Sequence, residues 1–152
     1  RYSRQPATPD AAMYATAPAL APHAGAGAYH QVGVSTGVAA ATPHQLVLML
    51  FDGFDDALVQ ALGALRDGAI EAKCRALTRA ARIVDEGLRA NLDLRGGGSL
   101  ANDLRELYAY VSLRLVQANL HNDPEVIDEC RRLMLPLRDA WASITPAAEQ
   151  AA

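Results

Sequence analysis

The chain has 152 residues, 20 % of them charged, and a net charge of −3, so it suits one domain and carries no electrostatic footprint for nucleic acid or an anionic membrane. Aromatic residues make up only 5 % while Ala and Leu abound, which favours helix over a β-sandwich or barrel. No segment approaches the ~18 consecutive apolar residues of a membrane span; the longest run, Leu46 to Phe51, stops at Asp52.

In chain order, residues 1–28 hold Pro6, Pro9, Pro18, Pro22, Gly25 and Gly27 in an Ala-rich background. Such a stretch buries too little surface to offset its ordering entropy and reads as a disordered tail. The same punctuation rules out the uninterrupted apolar core of a secretory signal, so the protein is expected to stay in the cytoplasm. Met13 reads as a natural start, which makes residues 1–12 upstream or vector-derived sequence. The bundle domain is expected over residues 29–144. Its first part, 29–41, has Tyr29, Val32 and Thr36 at helical spacing, but Gly33 and Gly37 each weaken a helix by up to ~1 kcal/mol. One extra short helix, of a loose turn or two docked through Tyr29 and Val32, is the expectation.

Four helices follow. The first opens at Thr42-Pro43-His44-Gln45, with Thr at the N-cap, Pro in the first turn and Gln three residues after the cap. It runs to about Arg66 and stops at Asp67-Gly68. The second, from about Ala69 to Asp93, repeats Ile70, Cys74, Leu77, Ala81, Val84, Leu88 and Leu92 as one stripe. Gly96-Gly97-Gly98 ends it, and Ser99 is the expected cap of the third helix, which reaches about His121 with Leu100, Leu104, Leu107, Tyr108, Val111, Leu115 and Ala118 on one side. Asn122-Asp123-Pro124-Glu125 opens the fourth, which presents Val126, Ile127, Cys130, Leu133, Met134, Leu137 and Trp141. Pro136 predicts a kink or break there. Residues 145–152 read as a second disordered tail. Short connections make neighbours antiparallel, so the predicted fold is all-α, an antiparallel up-down four-helix bundle.

A bundle helix needs one apolar stripe roughly 100° wide. In the first helix Leu46, Leu50, Gly53, Ala57, Leu58, Ala61 and Leu65 supply it, which leaves Val47, Met49, Phe51, Phe54 and Leu62 over. In the third, Tyr110, Leu113, Val116 and Leu120 lie off the main stripe. Excess on two helices points to a groove for a partner helix or peptide, or else to cover by the N-terminal segment or a second copy.

Catalytic patterns are missing. No Glu has a His three residues later, as di-iron bundles require. His23, His30, His44 and His121 fall in the tail or at helix ends, whereas a phosphotransfer histidine would be exposed in mid-helix. Asp52, Asp55 and Asp56 read as a solvated face rather than an acid/base pair. Gly96-Gly97-Gly98-Ser99 lacks the Lys-Ser/Thr of a phosphate loop. Cys74 and Cys130, without CxxC spacing, read as small hydrophobes. No enzyme activity, cofactor or metal is expected.

Three stretches together are specific. Thr42 to Gly53, with Tyr29 upstream, resembles the opening of the flagellin export chaperones of bacterial flagella, the FliS family. Leu104, Leu107, Tyr108, Tyr110, Arg114, Leu115, Ala118 and Asn119 are similar to that family's Leu-x-x-Leu-Tyr-x-Tyr…Arg-Leu-x-x-Ala-Asn pattern. Leu137-Arg138-Asp139-Ala140-Trp141 resembles its Leu-Arg-x-Ala-Trp close. Departures are Phe51 where the family usually has Tyr, Pro136 in the last helix, and the long Ala/Pro tail. The resemblance implies a cytoplasmic chaperone that binds the disordered, amphipathic C-terminal segment of flagellin, prevents premature filament growth and delivers the subunit to a component of the flagellar type III export gate. It implies a groove on Val47, Met49, Leu50, Phe54, Tyr110 and Leu113, with Tyr29, Arg114 and Asn119 as further contacts, while Tyr108 and Trp141 suit the core. The competing reading is a self-associating structural bundle, a homodimer without a flagellin client.

Overall fold

The computed structural model describes residues 40–144, so Tyr29, the transitional turns and both tails lie outside the described residues. Four helices make up the described part: α1 Pro43–Arg66, α2 Ile70–Arg82, α3 Gly98–His121 and α4 Pro124–Ser143, with α2 continuing as a π-helical segment, Ile83–Arg89. They form an all-α four-helix bundle in which α1 packs on α2 and α4, and α3 packs on α2, its π segment and α4. Thus α1 and α3 stand diagonally across the core.

Local chemistry sets the helix ends. Thr42 Oγ1 accepts from the Gln45 N–H at 3.1 Å and the Gln45 side chain accepts from the Thr42 N–H at 2.8 Å, completing the expected capping box. Asp123 accepts from the Glu125 N–H at 3.0 Å ahead of α4. Gly68 takes φ +70° just past α1, and Asn122 closes α3 at φ 52°, a left-handed conformation that Asn tolerates. Ser99 does not cap α3. The N-cap is Gly97, without a side-chain bond, and Ser99 lies inside the first turn. Gly97 is required there, because a Cβ would meet the Asp93 carbonyl at 2.7 Å and the Ala101 methyl at 2.6 Å.

Two further expectations change. α4 continues through Pro136 without the expected break, with that residue on the exposed side of the helix. The second helix ends four residues early and changes pitch at Ile83. Asn91 Nδ2 donates to the carbonyls of Glu86 and Gly87 at 3.2 and 3.0 Å, satisfying acceptors at that end.

The core is filled by Phe54, Leu58, Leu77, Val84, Leu88, Tyr108, Val111, Leu115, Ile127 and Cys130, all nearly or wholly buried. This overturns the predicted surplus on α1 at Val47, Phe51 and Phe54, while Met49 stays exposed and Leu62 half-buried. Val47, Leu50, Phe51 and Phe54 are buried, and Phe54 is only 1 % exposed. At 100° per residue, the inward side of α1 centres on Phe54, roughly 40° round from the predicted centre, so Leu46 and Gly53 sit at its margin instead. The Asp cluster is likewise more than a solvated face: Asp55 takes a two-point ion pair from Arg131 at 2.7 and 3.2 Å, and Asp52 pairs with Arg138 at 2.8 Å, clasping α1 to α4. At the bundle end, Trp141 Nε1 donates to the His44 carbonyl at 3.0 Å and His44 Nε2 donates to the Trp141 carbonyl at 2.8 Å, with the two rings stacked 4.9 Å apart.

Candidate docking face

The outer side of α3 carries the largest run of exposed apolar side chains. Ala101, Tyr108, Val111, Leu115 and Ala118 point inward. Ala109, Leu113, Val116 and Leu120 recur at intervals of four, three and four, which places them on the opposite side of the helix. Leu113 is 55 % exposed, Val116 61 % and Leu120 74 %. From Ala109 to Leu120 the strip spans about 17 Å, close to three turns of a partner helix.

Polar groups rim the strip. On the α4 side, Glu129 accepts from the Tyr110 hydroxyl and from Arg114 Nε, both at 2.7 Å. Arg114 Nη1 donates to Gln117 at 2.6 Å, and the guanidinium lies 6.0 Å from the centre of the Tyr110 ring. The hydrogen bond to Glu129 raises the Tyr110 and Arg114 pKa values, while the bonds from Tyr110 and then Arg114 hold the Glu129 carboxyl below its ordinary range. On the α2 side, Ser112 donates to Asp85 at 2.6 Å. There too Asn119 Oδ1 accepts from Lys73 Nζ at 2.7 Å and from Cys74 Sγ at 3.3 Å.

The residues expected from the sequence divide four ways. Tyr110, Leu113, Arg114 and Asn119 come together on α3, the first two exposed and the last two half-buried. Val47, Leu50 and Phe54 lie in the core and line no open groove, because the neighbouring helices cover them. Met49 is exposed but sits on α1, diagonal to α3, so it does not share a face with Leu113. Tyr29 lies outside the described residues. Val116 and Leu120, whose spacing with Leu113 was visible in the sequence, extend the strip. Glu129 and Lys73, which organise its two rims, gave no signal in a linear pattern.

Reactive chemistry is sparse among the described residues. Burial pushes the Cys130 thiol up to about 12, which makes it a poor nucleophile. No group of three or more His, Cys, Asp or Glu is placed to share a metal ion among the described residues. A surface cleft of about 250 Å³ between α1 and α2 is lined by Gln60, Ala72, Arg75, Ala76 and Arg79, which include no nucleophile or general base. None of the described helices is long and apolar enough to cross a membrane.

Comparison with known proteins adds identity to this geometry. The model of the family described as flagellar protein FliS matches residues 25–148. A flagellar secretion chaperone FliS of Salmonella typhimurium is 48 % identical over 121 residues, covering 80 % of this chain and 90 % of the relative. Its counterpart in Escherichia coli is 42 % identical over 117 residues, covering 77 % and 86 %. The protein of that name in Bacillus subtilis is 34 % identical over 114 residues, covering 75 % and 80 %.

Proposed function

The chain belongs to the FliS family, a family of flagellar secretion chaperones rather than enzymes, and from that premise we propose that it is a cytoplasmic chaperone for flagellin. It binds the disordered C-terminal segment of flagellin, keeps it from polymerising early and delivers it to the export gate of the flagellar type III apparatus. The observation that carries this reading is the outward strip Ala109, Leu113, Val116 and Leu120 on a bundle whose other long helix, α1, turns Val47, Phe51, Phe54 and Leu58 into the core and leaves Met49 and Val59 as its exposed large apolar side chains.

The strip suits such a client physically. An amphipathic segment presents anchors at intervals of three and four, the spacing the strip itself has. Ordering a disordered segment costs about 2–5 kcal/mol, and each large aliphatic side chain taken fully out of water returns roughly 1.5–3 kcal/mol, so three or four anchors on each side suffice to offset it. Tyr110 and Arg114 on one rim and Asn119 on the other supply polar contacts. Val47, Leu50 and Phe54 act by holding α1 in place, and Met49 takes part only if the client wraps round the bundle.

Calorimetric titration with a peptide of the flagellin C-terminal segment tests the proposal. The expected result is binding with a negative heat-capacity change. A folded sample that binds no such peptide, or that scatters light as an obligate dimer with the strip sealed, contradicts it and supports the self-associating alternative.

A further inference from the structure

Lys73 is 2 % exposed, and among the described residues its ammonium pairs with no carboxylate. A buried cation needs strong acceptors to offset lost hydration. Both of its acceptors come from one residue: Nζ donates to the Asn119 backbone carbonyl at 2.9 Å and to Asn119 Oδ1 at 2.7 Å. Asn119 lies in the last turn of α3, where unpaired carbonyls make the helix end partially negative and favour a cation. This arrangement also orients the side-chain amide. An ammonium has no lone pair to give, so the limb facing Lys73 must be the oxygen, and Cys74 Sγ donates to the same atom. The nitrogen limb is thereby turned the other way. It makes no hydrogen bond to another described residue, and it is not among the buried atoms left without a partner.

We propose that Lys73 is a positioning residue that locks the Asn119 amide so that Nδ2 faces the rim of the α3 strip as a donor to a backbone carbonyl of the docked chain. The inference rests on the chaperone reading above and gives it a polar anchor beside Val116 and Leu120. A docked segment whose ends are not helical exposes carbonyls that must find donors once water leaves. A pre-oriented amide provides one at no cost in side-chain freedom at the moment of binding.

The test uses the full chain, the flagellin C-terminal peptide as probe and two variants. Asn119→Asp keeps an oxygen for Lys73 and Cys74 but replaces the outward donor by an acceptor. Its Tm should equal or exceed that of the wild type, while peptide affinity falls by about tenfold or more. Lys73→Met fills a similar volume without donors, so the amide is free to turn and affinity should fall by a smaller factor. In the wild type, the Asn119 side-chain amide proton signals should move on peptide addition. Tight wild-type binding that Asn119→Asp leaves unchanged, with still signals, overturns this inference alone. A wild type that binds no peptide overturns the chaperone reading and this inference with it. Loss of Tm in Asn119→Asp equal to its loss of affinity assigns the residue to structure and also overturns the proposal.

Discussion

α1 and α3 are each 24 residues long and both carry more apolar side chains than one narrow stripe, yet they use them differently. α1 turns Val47, Leu50, Phe51, Phe54, Ala57, Leu58 and Ala61 inward across an arc that α2 and α4 close from both sides. Ala76 and Ala80 on α2 let the two helices approach, and the two arginine–aspartate pairs draw α4 against the other flank. α3 buries a narrower set and leaves Leu113, Val116 and Leu120 facing water. The lesson is that apolar content alone does not mark a docking face; what marks it is apolar content on the side that no neighbouring helix covers.

The contrast is sharpest in core truncation. Phe54→Ala should cost about 3–5 kcal/mol, read as a lowered midpoint in urea, because a large buried ring leaves a cavity. Val47→Asp should be comparably damaging, since it places a carboxylate where only 5 % of the side chain's residue surface is open. If either variant stays stable, the packed account of α1 is broken. Leu113→Asp is the counterpart on α3: its midpoint should stay within about 0.5 kcal/mol of wild type, as for other surface changes.

Smaller effects separate the flanks of the two helices. Asp55→Ala removes the acceptor of a part-buried two-point pair and should cost about 1 kcal/mol, more than loss of the exposed Arg82–Glu86 pair, which should be near neutral. The smallest expected effect is on acid stability. The Glu129 carboxyl is held below its unfolded-state value, so its contribution is present above the ordinary glutamate range and fades as pH falls through the lowered folded value. Glu129→Gln should therefore match the wild type at low pH, be slightly less stable at neutral pH and flatten the acid limb of a stability-against-pH curve. An unchanged acid limb would show that the Tyr110–Glu129–Arg114 rim is not held as described.

Much of this fold was readable from local chemistry. The Thr42 box, the Asp123-Pro124 start and the 3.6 spacing of α2, α3 and α4 each carry their own cause within a few residues. The inward direction of α1 was not, because Val47, Phe51 and Phe54 are as apolar as Leu46 and Leu65, and only the neighbours decide which go inside. The π segment could not be seen in a pattern that assumes 3.6 residues per turn. Lys73 gave no signal in the sequence, because its burial depends on the carbonyl of a residue 46 positions away. On the candidate face, Leu113 was legible as an apolar residue off the main stripe, and Tyr110, Arg114 and Asn119 through the family resemblance, whereas Glu129 was not, since it joins them only across the α3–α4 contact.

The most direct measurement compares affinities of the flagellin C-terminal peptide for Leu113→Asp and Met49→Asp, two exposed sites on diagonal helices. The account predicts that Leu113→Asp weakens binding by about tenfold or more with Tm unchanged, while Met49→Asp binds close to wild type. Full affinity in Leu113→Asp with binding lost in Met49→Asp would place the client on α1 and contradict it.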